Sequence, residues 1–120
     1  MLEVRLVCHN HMSYRRLSKA IAKIFFKKES IAYEMQEDTF IDELYERVQR
    51  LIGKGKINAA ENLLYDNIDS ANLNYLKLVL DFYNKLNALD EDFLEAHDYG
   101  KDEILQGLKD IATQYGMSMD

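Results

Sequence analysis

Apolar residues between positions 44 and 68 recur with the spacing of two amphipathic helices. The first set follows the i, i+4, i+7, i+8 pattern of one helix face and comprises Leu44, Val48, Leu51 and Ile52. The second set has a similar spacing and comprises Ile57, Ala60, Leu63, Leu64 and Ile68. Gly53-Lys54-Gly55 lies between them, and a glycine past the last turn can end a helix in the left-handed conformation. The segment therefore predicts a helical hairpin, with the small residues Ala59 and Ala60 where the helices approach closely.

A further helix is predicted before the hairpin, with Ser13 as its N-cap. Its apolar face consists of Leu17, Ile21, Ile24 and Phe25. The helical pattern continues, or restarts after a break near Ser30, as far as Met35. Because adjacent residues point about 100° apart on a helix, Phe25 is predicted to face the body of the protein. Phe26 is then predicted at the margin, where it covers a second helix or meets a partner chain.

Asp38 or Thr39 is the predicted cap of the first hairpin helix, with Phe40 pointing inward. A long apolar stripe after the hairpin predicts a central helix over residues 71–87, formed by Leu73, Leu76, Leu80, Tyr83 and Leu86. A short helical segment after Asp90 and a final helix over residues 101–115 follow. The core is predicted to include Leu44, Val48, Leu51, Ala60, Leu64, Leu76, Leu80, Ile104, Leu108 and Ile111.

The composition supports an all-α fold of five or six helices, arranged as antiparallel hairpins in a tetratricopeptide-like or bundle architecture. The 120 residues contain no proline and only five glycines, so few positions interrupt a helix. One domain is predicted over residues 12–120, preceded by a flexible extension over residues 1–11. Val4, Leu6 and Val7 form at most a strand stub in that extension, with no obvious partner. The extension is either an upstream addition or a disordered tail, with Met12 as the natural start.

The charge is divided unequally along the chain. Residues 1–28 hold seven Lys or Arg and one acid, whereas residues 29–120 hold eight and 20. The basic residues of the first helix form an i, i+4 row, called the basic row below, which consists of Arg15, Lys19, Lys23 and Lys27. This division indicates either a basic arm for an anionic partner or a basic helix that lies on the acidic body.

Candidate chemistry is sparse. Cys8, His9 and His11 could hold a soft divalent metal, but a closed site needs a fourth ligand, so no metal or cofactor is predicted. Five acids surround His97, and the simplest interpretation is a capped, solvated short helix. The eight tyrosines either line a peptide groove or fill the edge of the core. The candidate partner surface comprises Arg15, Lys19, Lys23, Phe26, Lys27, Tyr65, Tyr75 and Tyr83.

The hairpin resembles one tetratricopeptide-type unit, because Leu44, Gly55, Ala60 and Leu64 occupy its large, glycine, alanine and large positions. Residues 14–116 as a whole resemble a small family of uncharacterised bacterial helical proteins found mainly in Gram-positive anaerobes. The matching stretches are 25–29, 43–66 and 75–116. This resemblance implies a helical fold and a bacterial, cytoplasmic origin, and it implies no activity.

Two functions fit these observations. The first is a non-enzymatic helical module that binds a protein or peptide, or that self-associates. The second is a peripheral binder of an anionic surface through the basic row, a membrane rather than a nucleic acid, because the acidic body repels a polyanion. No enzyme activity is predicted, since no catalytic motif is present.

Overall fold

The computed structural model describes residues 5–6, 13–28, 31–34 and 38–119, with side chains for residues 13–28, 31–34 and 38–117. The described part of the chain contains six helices, so the fold is all-α. In chain order they are α1 (Tyr14–Phe26), α2 (Thr39–Gly53), α3 (Ile57–Asp66), α4 (Leu73–Asn87), α5 (Glu91–Ala96) and α6 (Lys101–Gln114).

Polar side chains cap four of these helices at their N-termini. Ser13 and Asp38 accept hydrogen bonds from backbone N–H groups in the first turns of α1 and α2, as predicted. Asn72 and Asp90 do the same for α4 and α5. Asp38 also accepts a hydrogen bond of 3.0 Å from the side chain of Asn72, which joins the caps of α2 and α4. These hydrogen bonds lower the pKa of Asp38, and the hydrogen bond from Asn72 has the largest effect.

The hairpin forms as the sequence predicts. Helices α2 and α3 pack against each other, and Gly55 adopts a positive φ of 75° in the turn between them. An added Cβ at Gly55 would lie 2.4 Å from Nε2 of His97, so the turn also lets α5 approach closely. Both the conformation and the close contact require glycine at this position.

Helix α4 is the central element of the core. Nine of its 15 residues are buried, including Leu76, Leu80 and Tyr83, and α2 and α6 both pack against it. The apolar face of α1, formed by Leu17, Ile21 and Ala22, is buried and covers α6. The predicted core residues are all buried except Leu51, which is half-buried.

Three apolar side chains predicted to point inward are exposed. Phe40 is 55% exposed, Leu73 is 46% exposed, and Ile68, which follows the end of α3, is 38% exposed. Ile41 takes the inward position in the first turn of α2, and Phe40, which is adjacent to it, points about 100° away. Leu73 is the first residue of α4 and lies at the edge of the core. The predicted inward positions are therefore wrong at the first turn of both helices.

Residues 31–34 are not helical, contrary to the predicted continuation of the first helix. Helix α1 ends at Phe26, and Lys27 follows it in the left-handed conformation with φ of 57°. Ile31 and Tyr33 are buried whereas Ala32 and Glu34 are exposed, which is the two-residue alternation of an extended chain. The remainder of the predicted continuation, at Met35, lies outside the described residues.

Helix α4 holds this extended segment through two polar side chains. Asp81 Oδ1 accepts a hydrogen bond of 3.3 Å from the backbone N–H of Tyr33. Asn84 Nδ2 donates to the carbonyl of Ile31 at 3.3 Å, and Asn84 Oδ1 accepts hydrogen bonds from Tyr14 and Ser18 of α1. The segment adopts an extended conformation because its backbone is hydrogen-bonded to α4 rather than within itself.

The predicted strand stub does have a partner. Arg5–Leu6 pairs in parallel with Ser118–Met119 after the last helix. Gly116, with a positive φ of 89°, lies between α6 and this short strand. The other residues of the predicted flexible extension lie outside the described residues, so the flexibility of that extension stays a prediction.

Replacement of Leu80 by alanine should lower the free energy of unfolding by about 2 to 5 kcal/mol, because it leaves a cavity in the core. Leu73→Ala, in the same helix, is the matched control and should have a much smaller effect. Guanidinium unfolding followed by circular dichroism measures both variants. Equal losses, or a loss below about 0.5 kcal/mol for Leu80→Ala, would contradict the assignment of the core.

Deletion of residues 1–28 should cause unfolding or aggregation. The deletion removes the buried side chains of Leu17, Ile21 and Ala22 and exposes the face of α6 that they cover. The measurement is thermal melting and light scattering of a fragment that begins at residue 29. A soluble fragment with a cooperative melt would show that α1 is an independent arm.

Candidate interaction surfaces

The basic row lies on the exposed side of α1. Arg15, Lys19, Lys23 and Lys27 are all exposed, while the opposite face of the helix is buried in the core. Helix α1 thus lies on the body of the protein through apolar packing. Among the described residues, Asp81 and Lys85 form an ion pair within 4.0 Å. No residue of the basic row forms such a pair with another described residue.

The two adjacent phenylalanines contact different parts of the protein. Phe25 is half-buried, and its ring meets that of Tyr115 edge-on, with centroids 5.8 Å apart. Phe26 is also half-buried and lies beneath the Lys77 ammonium of α4, which is 5.5 Å from the ring centroid. Phe26 therefore covers a second helix, the first of the two positions predicted for it.

Two of the three tyrosines in the predicted partner surface are in the core. Tyr75 and Tyr83 are completely buried, so the prediction that they belong to an exposed surface is wrong. The Tyr75 hydroxyl donates to the carbonyl of Leu64 at 2.6 Å. Tyr65 is half-buried, and its hydroxyl lies 3.2 Å from the carbonyl of Gly107. Oxygen atoms inside the protein accept hydrogen bonds from the tyrosine hydroxyl groups, so the rings can be buried without leaving a hydroxyl unpaired.

Glu61 of α3 is the acceptor for a group of tyrosines. Its Oε2 atom accepts from the hydroxyl of Tyr83 at 2.7 Å and from that of Tyr99 at 2.9 Å. The hydroxyls of Tyr65 and Tyr83 lie 3.0 Å apart. Burial, and then the Glu61 carboxylate, raises the pKa of Tyr83 and Tyr99 well above the usual value. This Glu61 network joins α3, α4 and the segment before α6.

His97 has structural contacts at the end of α5. Its Nδ1 atom lies 2.8 Å from the carbonyl oxygen of Phe93, and the two rings are 4.3 Å apart. The imidazole also packs against Gly55 of the hairpin turn. The residues that the structure describes contain no group of three metal-ligating side chains. Cys8, His9 and His11 lie outside the described residues.

An open groove of about 490 Å³ lies on the outer side of the hairpin. We call it the hairpin groove, and its lining residues are Arg47, Arg50, Leu51, Lys54, Ala59, Asn62, Leu63 and Asp66. Leu51 and Leu63 are half-buried and form an apolar floor. The α2 side carries three exposed cations, and the α3 side carries one carboxylate. The groove therefore offers apolar contact beside a net positive charge.

None of these groove residues is in the predicted partner surface. A signal was nevertheless present in the sequence, because Arg47, Arg50 and Lys54 follow one another at i, i+3 and i+7. This spacing places three cations along one side of α2, away from the inward residues Leu44 and Val48. The presence of a groove beside them depends on how closely α3 packs, which the spacing does not specify.

The structure defines a small all-α protein with a helical hairpin and an exposed groove. Residues 12–116 match the family of unknown function DUF6483, and the chain belongs to that family. No curated protein and no solved structure matches the chain. Within the described residues, no helix has both the length and the apolar character needed to span a bilayer.

Alkaline pH should ionise most tyrosines only as the protein unfolds. Burial raises the pKa of seven of the eight above 10.0, namely Tyr14, Tyr33, Tyr65, Tyr75, Tyr83, Tyr99 and Tyr115. A raised folded pKa means that their contribution to stability is complete below pH 10 and is lost as the pH rises further. Tyrosinate absorbance and circular dichroism should therefore change together, whereas the chain in guanidinium titrates near pH 10. Titration of all eight tyrosines near pH 10 with unchanged helicity would contradict this expectation.

Proposed function

We propose that this protein is a non-enzymatic helical interaction module that binds a polypeptide segment in the hairpin groove. The groove is the observation that carries the proposal. It combines an apolar floor at Leu51 and Leu63 with three exposed cations on one side. An acidic peptide with a large apolar side chain fits this arrangement, because it can bury the apolar group while its carboxylates pair with the cations.

The side chains of the groove favour binding over catalysis. The eight lining residues include no serine, threonine, cysteine or histidine, and the two that could transfer a proton, Lys54 and Asp66, are both exposed to solvent. Arg47 and Arg50 each present a planar guanidinium group, which can donate two parallel hydrogen bonds to one carboxylate. Asp66 on the opposite side repels an acidic side chain placed next to it, so it favours one orientation of the bound segment. The expectation of a bacterial, cytoplasmic protein stays a prediction.

The second candidate is a peripheral binder of an anionic membrane surface through the basic row. Its support is the exposure of Arg15, Lys19, Lys23 and Lys27. The apolar face of α1 is buried against the body, however, so this helix has no free apolar face to insert into a bilayer. Binding through the row would depend on charge alone and would fall steeply with salt.

The groove proposal predicts that Arg47→Ala/Arg50→Ala weakens binding of an acidic peptide at least about tenfold, or about 1.4 kcal/mol. The probe is a fluorescein-labelled 12-residue peptide of glutamate and leucine with one central phenylalanine, and the measurement is fluorescence anisotropy. Lys19→Ala/Lys23→Ala is the matched control, because it removes the same charge from α1 and should retain binding.

A peptide of the same length with lysine in place of glutamate should not bind the wild-type protein. Loss of binding in the α1 variant, with none in the groove variant, would favour the basic row instead. Absence of binding to the wild-type protein would overturn the groove as a peptide site.

A further inference from the structure

Residues 90–98, called the acidic segment here, carry a concentration of negative charge beside the hairpin. Five of the nine residues are acids, and all five are exposed: Asp90, Glu91, Asp92, Glu95 and Asp98. Between them the side chain of Phe93 is 39% exposed. The segment thus presents one large apolar group surrounded by carboxylates.

The acidic segment is fixed at the turn end of the hairpin. Leu94 is completely buried and attaches α5 to the core. The carbonyl of Asp98 accepts a hydrogen bond of 3.1 Å from the side chain of Asn58, in the first turn of α3. His97 packs against Gly55 in the turn itself. Lys54, the residue before Gly55, lines the hairpin groove, so the segment adjoins the end of the groove that is nearest to the turn.

The two surfaces are complementary in charge and in apolar character. The groove has three cations, one carboxylate and an apolar floor, and the acidic segment has five carboxylates and an exposed phenyl ring. Within the described part of one molecule, the cations of the groove and the carboxylates of the acidic segment do not form ion pairs with each other. Among the described residues, no carboxylate of the segment lies within 4.0 Å of Arg47, Arg50 or Lys54. Each copy of the chain therefore carries both halves of a matching pair, unpaired.

We propose that the occupant of the hairpin groove is the acidic segment of a second copy of this chain. This inference rests on the proposed function of the groove as a peptide-binding site. In the complex, Phe93 of one copy contacts the Leu51 and Leu63 floor of the other, and carboxylates beside it pair with Arg47 and Arg50. Because each copy carries both surfaces, a two-fold axis allows the two contacts to form together and to close a dimer.

The test is a charge exchange between the two surfaces. The groove variant is Arg47→Glu/Arg50→Glu, and the segment variant is Glu91→Lys/Asp92→Lys/Glu95→Lys, which changes the net charge of the segment from negative to positive. Each variant alone places like charges in both contacts of the dimer, so each should be monomeric. In an equimolar mixture, a groove of one sign meets a segment of the opposite sign at both contacts. Sedimentation equilibrium should therefore show a concentration-dependent dimer for the wild-type protein and for the mixture.

Two controls keep the result specific. Lys19→Glu/Lys23→Glu reverses two charges on α1 and should remain dimeric, and circular dichroism verifies that every variant retains its helices. A wild-type protein that stays monomeric overturns the inference, as does a mixture of folded variants that fails to dimerise. The proposed function is judged separately, because a monomeric protein that still binds the glutamate-rich peptide retains the groove as a site for another chain.

Discussion

The burial of α4 is the constraint on which the rest of this fold depends. Because nearly every face of this helix is covered, its polar side chains must find partners inside the protein. Asp81 is 4% exposed, and its carboxylate accepts from the backbone of Tyr33 and lies 3.0 Å from the Lys85 ammonium. Burial lowers the pKa of Lys85, but its contacts with Tyr45 and Asp81 outweigh that effect and raise it. The buried carboxylate thus favours this conformation for the chain between α1 and α2, since another conformation would remove the hydrogen bond that Asp81 Oδ1 accepts from Tyr33.

A second polar group fixes the opposite side of the core. Glu61 accepts from Tyr83 of α4 and Tyr99, which places α3 relative to the chain that enters α6. Helix α6 can pass this group only because residue 107 is glycine. An added Cβ at Gly107 would lie 2.1 Å from the Tyr83 hydroxyl, and that ring is completely buried and has no room to move. Tyrosine hydroxyls therefore specify the spacing of helices that apolar packing alone would leave less defined.

The sequence predicts those parts of the structure that depend on local interactions. The caps at Ser13 and Asp38 and the turn at Gly55 involve residues within one helical turn of each other, so their patterns are visible in the sequence. The extended conformation of residues 31–34 depends on Asp81 and Asn84, about 50 positions away, and no local pattern reports that contact. The same limit applies to the binding surfaces. Burial of Tyr75 and Tyr83 follows from the packing of α3 and α6, and the groove follows from the distance between two helices.

Stability and the proposed recognition use different residues in this protein. The apolar face of α1 is part of the core, so the basic row that suggested a detachable arm belongs to a helix that the fold requires. The hairpin faces inward through Leu44, Val48 and Ala60, and outward through the groove that begins at Arg47. The outward cations contribute nothing to the core, and within the described chain they are not within ion-pair distance of the nearby acids. Surface charges gain little stability even when they are paired. The three cations beside the apolar floor therefore add little to the stability of the fold, and they remain accessible for the proposed contact with another chain.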